Sequence, residues 1–246
     1  MKLTFIDGAR FVRALRVVAS HASNDAMRPH LHAVNFRRSG ASIDMAATDG
    51  TRLALYRFLA STFEVTGDGN SVTVPLHSIK AFLRVIGPAL RPKLSRSRLR
   101  RVTAIVNGAP PPSVIVDADA CELSADVYTV RYDRKAADVS FPVYETVIPT
   151  ALTAITDPVA PRLLASSLAA FDSLADVRLG VSVHLAGSGS LNALVLTSSA
   201  VRELLVLVMP VRGDVLSVPP KAILEDTTRL PFDMRPHASK LEPAAQ

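Results

Sequence analysis

The 246 residues contain no tryptophan and a single cysteine, Cys121. One thiol excludes an intramolecular disulfide and fits a reducing compartment. Cys121 stands in no CxxC pair and no Cys/His cluster, so it reads as a small buried residue. Aromatic residues make up 5% of the chain, which predicts a core of Leu, Val, Ile and Ala. No apolar run approaches the roughly 18 residues of a membrane span. The amino-terminal MKLTFIDGARFVR lacks the continuous apolar segment of a signal peptide. A cytoplasmic protein without membrane contact is expected. Catalytic signatures are missing too: no GxGxxG after a strand and no Walker loop, no GxSxG and no HExxH. Of the six histidines only His30 and His32 are close in sequence. On a strand they share one face, but two ligands without a third make a poor metal site. Acidic residues do not pair at spacings that suggest two-metal chemistry. No enzyme activity, metal or cofactor is expected.

Another absence is local. Residues 8–22, 76–87 and 160–171, each read as an amphipathic helix, contain no Asp or Glu. The first carries Arg10, Arg13 and Arg16, whose spacing of three predicts one broad solvent face. The second carries Lys80 and Arg84, spaced by four and away from the apolar stripe. One-sign faces favour phosphate contact over simple solvation. The chain's net charge of +6 and pI near 9.8 agree with an anionic partner, nucleic acid first. The run 91–101, with six Lys and Arg residues, reads either as a solvated loop or as a second phosphate-contacting arm.

What is present repeats. A short strand, an amphipathic helix and several strands recur three times at intervals of about 60–70 residues. The first passage has a strand at Lys2–Phe5, Asp7 as N-cap and a helix to Ala22. Strands follow near His30–Arg37, Ala41–Ala47 and Arg52–Phe58. The second has a strand at Ser71–Val74 and a helix from Pro75 to Ile86. Strands follow near Arg101–Val106, Ser113–Val116, Cys121–Ser124 and Tyr128–Arg131. The third has a helix at Pro161–Phe171 and strands near Val177–Leu185, Leu191–Thr197 and Arg202–Met209. Asp49-Gly50 is a tight-hairpin signal between two alternating strands. Read alone, it is an ordinary hairpin with one surface arginine, Arg52. Asp133–Pro149 is a proline-bearing connector, and 213–246 a proline-rich tail.

Four segments carry a resemblance. RPHLHAVNFRRSGASIDMAATDGTRLALYRF (28–58), VPLHSIKAFLRVIG (74–87), SFPVYETVIP (140–149) and LVMPVR (207–212) stand in order along the chain. They resemble the middle domain, the connector and the carboxy-terminal end of the bacterial DNA polymerase III β sliding clamp. The resemblance implies an α+β fold of repeated βαβββ modules, with helices on one face of antiparallel sheets. It divides the chain into a two-module domain at 1–139, a one-module partial domain at 140–212 and the tail at 213–246. It also implies a non-enzymatic processivity factor, in which a hydrophobic cleft takes short peptides of polymerases and clamp loaders. Carried over, that cleft uses Thr48, Gly50, Arg52, Leu53, Pro142, Val147, Met209, Pro210, Val211 and Arg212. Arg52 would lay its stem along the slot and offer its guanidinium to a peptide. Double-stranded DNA would meet Arg10, Arg13, Arg16, Lys80 and Arg84 without sequence preference.

This sequence departs from the family pattern at Thr51, where the family has His, and at Thr146, where it has Arg. Residue 1 aligns with the start of the family's middle domain, so an amino-terminal domain is expected to be missing. So is the first half of the last domain, leaving three modules where the family has six. Either a homo-oligomer closes a ring, or the chain is an adaptor or decoy that binds replication and repair proteins without encircling DNA. In the first case Lys2–Phe5 and Glu203–Met209 are expected to be open sheet edges, paired between subunits or covered by the tail.

Overall fold

The computed structural model describes residues 1–90, 113–125, 128–149, 159–175, 183–187 and 193–210. The first passage forms β1 (Lys2–Phe5), α1 (Gly8–Ala19), β2 (Ala33–Ser39), β3 (Ser42–Thr48) and β4 (Arg52–Phe58). A short strand that the sequence pattern does not announce, β5 (Phe63–Thr66), leads to the second passage. That comprises β6 (Ser71–Pro75), α2 (Leu76–Leu90), β7 (Val114–Asp117), β8 (Glu122–Ala125) and β9 (Tyr128–Arg131). The connector contains α3 (Arg134–Ala137). The third passage has α4 (Pro161–Leu174), β10 (His184–Gly187), β11 (Leu194–Thr197) and β12 (Leu204–Val208). The strand expected near Arg101–Val106, the basic run 91–101 and the tail lie outside the described residues.

Local chemistry sets these boundaries. Asp7 caps α1, its carboxylate accepting from the Arg10 amide at 2.9 Å. The helix closes at Ser20, whose hydroxyl donates to the Val17 carbonyl at 2.7 Å. The last helical residue, Ala19, is three residues before the expected Ala22. Gly40, at φ +58, makes the two-residue turn between β2 and β3, where Ser39 pairs with Ser42.

Among the described residues two antiparallel sheets form, in the orders β5-β1-β7-β8-β9 and β10-β11-β12-β4-β3-β2-β6. The first two modules exchange their first strands: β1 leaves its own sheet to pair with β7, and β6 leaves its own to pair with β2. This reciprocal exchange relates the modules by an approximate two-fold, β1 matching β6 and β2–β4 matching β7–β9. Helices α1 and α2 pack on each other between the sheets. The third module extends the longer sheet through β12, which pairs with β4 over five residues from Leu204–Tyr56 to Val208–Arg52.

Two expectations are corrected here. Neither β1 nor β12 is an edge: β1 lies between β5 and β7, and β12 between β11 and β4. The strands with one partner among the described residues are β5, β9, β10 and β6, and α3 packs beside β6. The core is also not purely aliphatic. Phe5, Phe11, Phe36 and Phe58, all buried, form a knot at its centre, with Phe5 4.4 Å from Phe11 and 4.7 Å from Phe58 between ring centroids. A scarce residue type is concentrated where two sheets and two helices converge, because a ring removes the most apolar area per side chain. No helix among the described residues is long and apolar enough to cross a membrane.

Candidate functional site

The long sheet has a second, smaller apolar layer on the face away from the helices. Ala46, Leu53, Leu55, Val195 and Leu207 project there, and Tyr144 of the connector is buried on them. Phe141, Val147 and Ile148 complete the layer. The connector thus straps the outside of the sheet and leaves a groove of about 180 Å³ along its border. Thr48, Gly50, Arg52, Leu53, Pro142, Val147 and Met209, all expected from the sequence, line this groove. Leu31, Val143, Tyr144 and Leu207 line it as well. These four lie inside the quoted segments, so the signal was present but the positions were passed over. Pro210 is half-buried and does not line the groove. Val211 and Arg212 lie outside the described residues.

The hairpin at one wall is held by Asp49. Its Oδ1 accepts from the Thr51 amide at 2.8 Å, the Thr51 hydroxyl at 2.7 Å and the Arg52 amide at 2.8 Å. Its Oδ2 accepts from Arg52 Nε at 3.0 Å and Nη2 at 2.9 Å. Burial alone would raise the Asp49 carboxyl, but the hydrogen bonds from Thr51 and Arg52 outweigh it and hold it below the usual carboxylate range. Gly50 sits at φ +88, a conformation open to glycine, and a Cβ there would stand 3.8 Å from Leu31. The hairpin is tied to the end of β12 by the Met209 amide, which donates to the Thr51 carbonyl at 2.8 Å. Thr51 is therefore part of the turn's own bonding.

Arg52 corrects an expectation. Its stem lines the groove, but its guanidinium does not reach out. Nε and Nη2 grip Asp49, and Nη1 donates to the Ser166 hydroxyl of α4 at 2.7 Å. A bidentate, largely buried pair of this kind orients a loop. Beneath it lies His21, fully buried, with Nδ1 3.0 Å from the Val17 carbonyl. Burial pushes its imidazole below the ordinary value, and Arg52 adds to the shift.

The basic helix residues also divide. Lys80 and Arg84 are exposed, and Lys80 Nζ donates to Asn24 Oδ1 at 2.8 Å. Arg10, Arg13 and Arg16 do not share an open solvent face, as their spacing had suggested; all three are half-buried. Arg10 donates through Nε to the Tyr56 hydroxyl at 2.9 Å and pairs with Glu203 at 2.5 Å. Arg13 and Arg16 enter a groove between α1 and α4 that Ser20, Ser166 and Ser173 also line. The cause is β12 and α4, which the third module adds beside α1.

The fold so described, paired βαβββ modules with helices between antiparallel sheets, is that of the DNA sliding clamps. The sequence matches no protein-family model and no curated protein, but solved structures match well. One is the DNA polymerase III β subunit from Pseudomonas aeruginosa, with TM-score 0.60 and 15% identity over 87% of this chain and 66% of that one. Another is the DNA polymerase sliding clamp from Bacillus subtilis, at TM-score 0.57 and 11% identity over 87% and 64%. The β subunit from Thermotoga maritima matches at TM-score 0.55 and 15% identity over 86% and 66%. The chain thus spans about two thirds of the length of the clamps it matches, and at these identities the likeness is one of fold.

Proposed function

We propose that this protein is a non-enzymatic, clamp-like binding module whose outer groove takes short linear peptides of replication and repair proteins, polymerases and clamp loaders among them. The observation that carries this reading is convergence. Residues 48–53, 142–147 and 207–209, far apart in sequence, meet around one apolar groove. Leu31, Leu53, Val147, Leu207 and Met209 offer adaptable apolar walls, the chemistry that a peptide's aliphatic or aromatic anchors require. The groove is preformed, because Asp49, Arg52 and the Met209 amide fix the hairpin without a ligand. A division into 1–139, 140–212 and 213–246 belongs to the same reading.

The second part of the reading is contact with duplex DNA through phosphates, without sequence preference. Lys80 and Arg84 on α2 support it directly. Arg13 and Arg16 support it only as the lining of a groove, and Arg10 is engaged by Glu203. This observation favours an adaptor that binds partners without encircling DNA over a loaded ring.

A peptide with Gln, then Leu and a terminal Phe should bind with micromolar affinity, roughly −8 kcal/mol. Backbone NMR signals of Gly50 and Met209 should move on titration; if they stay fixed at high peptide concentration, the groove is not the site. Retention on closed circular but not linear DNA would select the ring over the adaptor.

A further inference from the structure

The connector that bounds the peptide groove also walls a second cavity, on its other side. This cavity holds about 460 Å³, within the roughly 300–1,000 Å³ of small-molecule sites. It lies over β2 and β6 on the outer face of the long sheet, and shares only Pro142 and Tyr144 with the groove. All of its lining residues are among those described.

Strand geometry explains its floor. Val34 and Phe36 of β2 and Val72 and Val74 of β6 join the core, so Asn35 and Thr73, paired across the two strands, point to the outer face. Both are nonetheless buried, at 4% and 7% exposure, and so is Tyr144 at 4%. Asn35 Nδ2 donates to Thr73 Oγ1 at 3.0 Å. That bond leaves Asn35 its Oδ1 acceptor and one amide hydrogen, and leaves Thr73 its hydroxyl hydrogen. Among the described residues, neither these positions nor the Tyr144 hydroxyl have a hydrogen-bond partner. The polar groups of buried residues are nearly always bonded to protein, water or ligand, so this set of open positions calls for an occupant.

The rim decides the occupant's charge. Arg37 and Arg134 bring two positive charges, Asp119 and Asp138 two negative ones. Arg37 is further engaged by Glu145, and Arg134 Nη2 donates to the Asp119 carbonyl at 2.5 Å. No net positive charge is left to draw a phosphate, and the exposed carboxylates of Asp119 and Asp138 repel one. The floor is uncharged as well: burial, with Asp44 and Glu145 nearby, raises the Tyr144 phenol above its ordinary value. Phe141 and Pro142 add flat apolar walls, which suit a planar ring. A side-chain amide with a donor and an acceptor free is the group that pairs with N6 and N7 of adenine.

We infer that this cavity is a binding site for an uncharged purine nucleoside, its base against Asn35 and Phe141 and its sugar hydroxyls toward the carboxylates of Asp119 and Asp138. The site is distinct from the peptide groove and does not rest on the proposed peptide or DNA contacts.

The test uses the full chain with adenosine as the probe, read by NMR. At about 1 mM adenosine the Asn35 side-chain amide and the backbone amides of Thr73 and Tyr144 should shift, while those of Gly50 and Met209 in the groove stay fixed. Tyr144→Phe removes one hydroxyl and should leave the circular dichroism spectrum unchanged while weakening binding about tenfold. Asn35→Leu, of similar volume, should abolish binding. Absence of any shift at the three floor residues overturns the inference, and means that water alone satisfies them. Tighter binding of adenosine 5′-phosphate than of adenosine overturns it too, since Arg37 and Arg134 would then select the ligand. Shifts with single-stranded oligodeoxyadenylate but not with adenosine would give the cavity to a nucleic acid strand and equally overturn it. Unchanged affinity in Tyr144→Phe would place the nucleoside elsewhere, whether or not Asn35→Leu folds.

Discussion

The two faces of the long sheet are built from the same strands yet do different work. On the helix side, Val34, Phe36, Met45, Ala54 and Tyr56 join a continuous core that includes α1, α2 and α4. On the other side, Ala46, Leu53, Leu55, Val195 and Leu207 are covered by little more than the connector. The inner face is closed by helices whose own backbone bonds are satisfied internally. The outer face is closed by a strap of irregular chain around Phe141–Ile148, which cannot cover the sheet's full width. Stability therefore concentrates on one side and an accessible apolar groove on the other.

The largest effect that could break this comparison is a cavity on each side. Phe36→Ala, within the phenylalanine knot, should destabilise by about 3–5 kcal/mol. Leu53→Ala on the outer face should cost about 2 kcal/mol, because the thin layer can relax toward solvent. Urea denaturation of both variants decides the matter; equal losses would mean that the connector closes the outer layer as tightly as the helices close the inner one.

Asp49 sharpens the comparison from the outer side. Asp49→Asn retains an acceptor but loses the charge that grips Arg52, at a cost of about 1–2 kcal/mol. The carboxyl is depressed in the folded state. Its contribution is thus complete above the unfolded value of about 3.9 and is lost as pH falls through the folded one. In Asp49→Asn that acid loss should disappear. His21 acts from the inner side with the same direction in a higher window. Its folded value is lowered by burial, so the unfolded chain takes up the proton first and stability should begin to fall below about pH 6.5. Thermal midpoints of both proteins from pH 8 to 2 separate the two groups. An undiminished midpoint in the wild type between pH 6.5 and 5 would contradict the neutral, buried His21.

Much of this was legible in the sequence, and the misses have physical causes. The strands Lys2–Phe5 and Tyr128–Arg131 followed from the repeating passages, and the hairpin at Asp49-Gly50 and most of the groove residues from turn chemistry and from the four quoted segments. The alternation read in residues 41–46 and 52–58 implied one polar face. In fact both faces of β3 and β4 are mostly buried, and Asp44, 4% exposed, is matched by Arg57 in a two-pronged pair at 2.7 and 2.8 Å. A pattern of period two cannot tell water from a salt-bridged layer beneath a connector. The arginines of α1 misled for a related reason. Their spacing fixes a face of the helix, but what covers that face is α4, β12 and Glu203, more than 150 residues further on. Strand exchange between β1 and β6 leaves no mark in local periodicity at all.

Met209 tests the outer face as a binding surface rather than a structural one. Met209→Ala should weaken peptide binding by about 1–2 kcal/mol through lost apolar contact, with a stability change below about 1 kcal/mol, since the side chain is only half-buried. Calorimetric titration and denaturation on the same sample check both halves. A large stability loss would move Met209 from the groove's wall into the outer core.

The smallest expected effect on stability comes from the helix surface, and it separates arginines that the sequence treated alike. Lys80 and Arg84 are exposed on α2, where Lys80 donates to the neutral Asn24 side chain. The double change Lys80→Glu and Arg84→Glu should leave stability within about 0.5 kcal/mol. If phosphates are contacted there, it should remove most retention on duplex DNA at low salt, and flatten the dependence of log affinity on log salt by about two contacts. Arg10→Glu should behave differently. It places a second carboxylate beside Glu203 and strips the Tyr56 hydroxyl of its donor, so its cost falls on the fold before it falls on DNA. Should Arg10→Glu lose DNA binding with full stability while the α2 double change loses nothing, the DNA-facing surface would lie on α1, and the open face of α2 would be an ordinary solvated one.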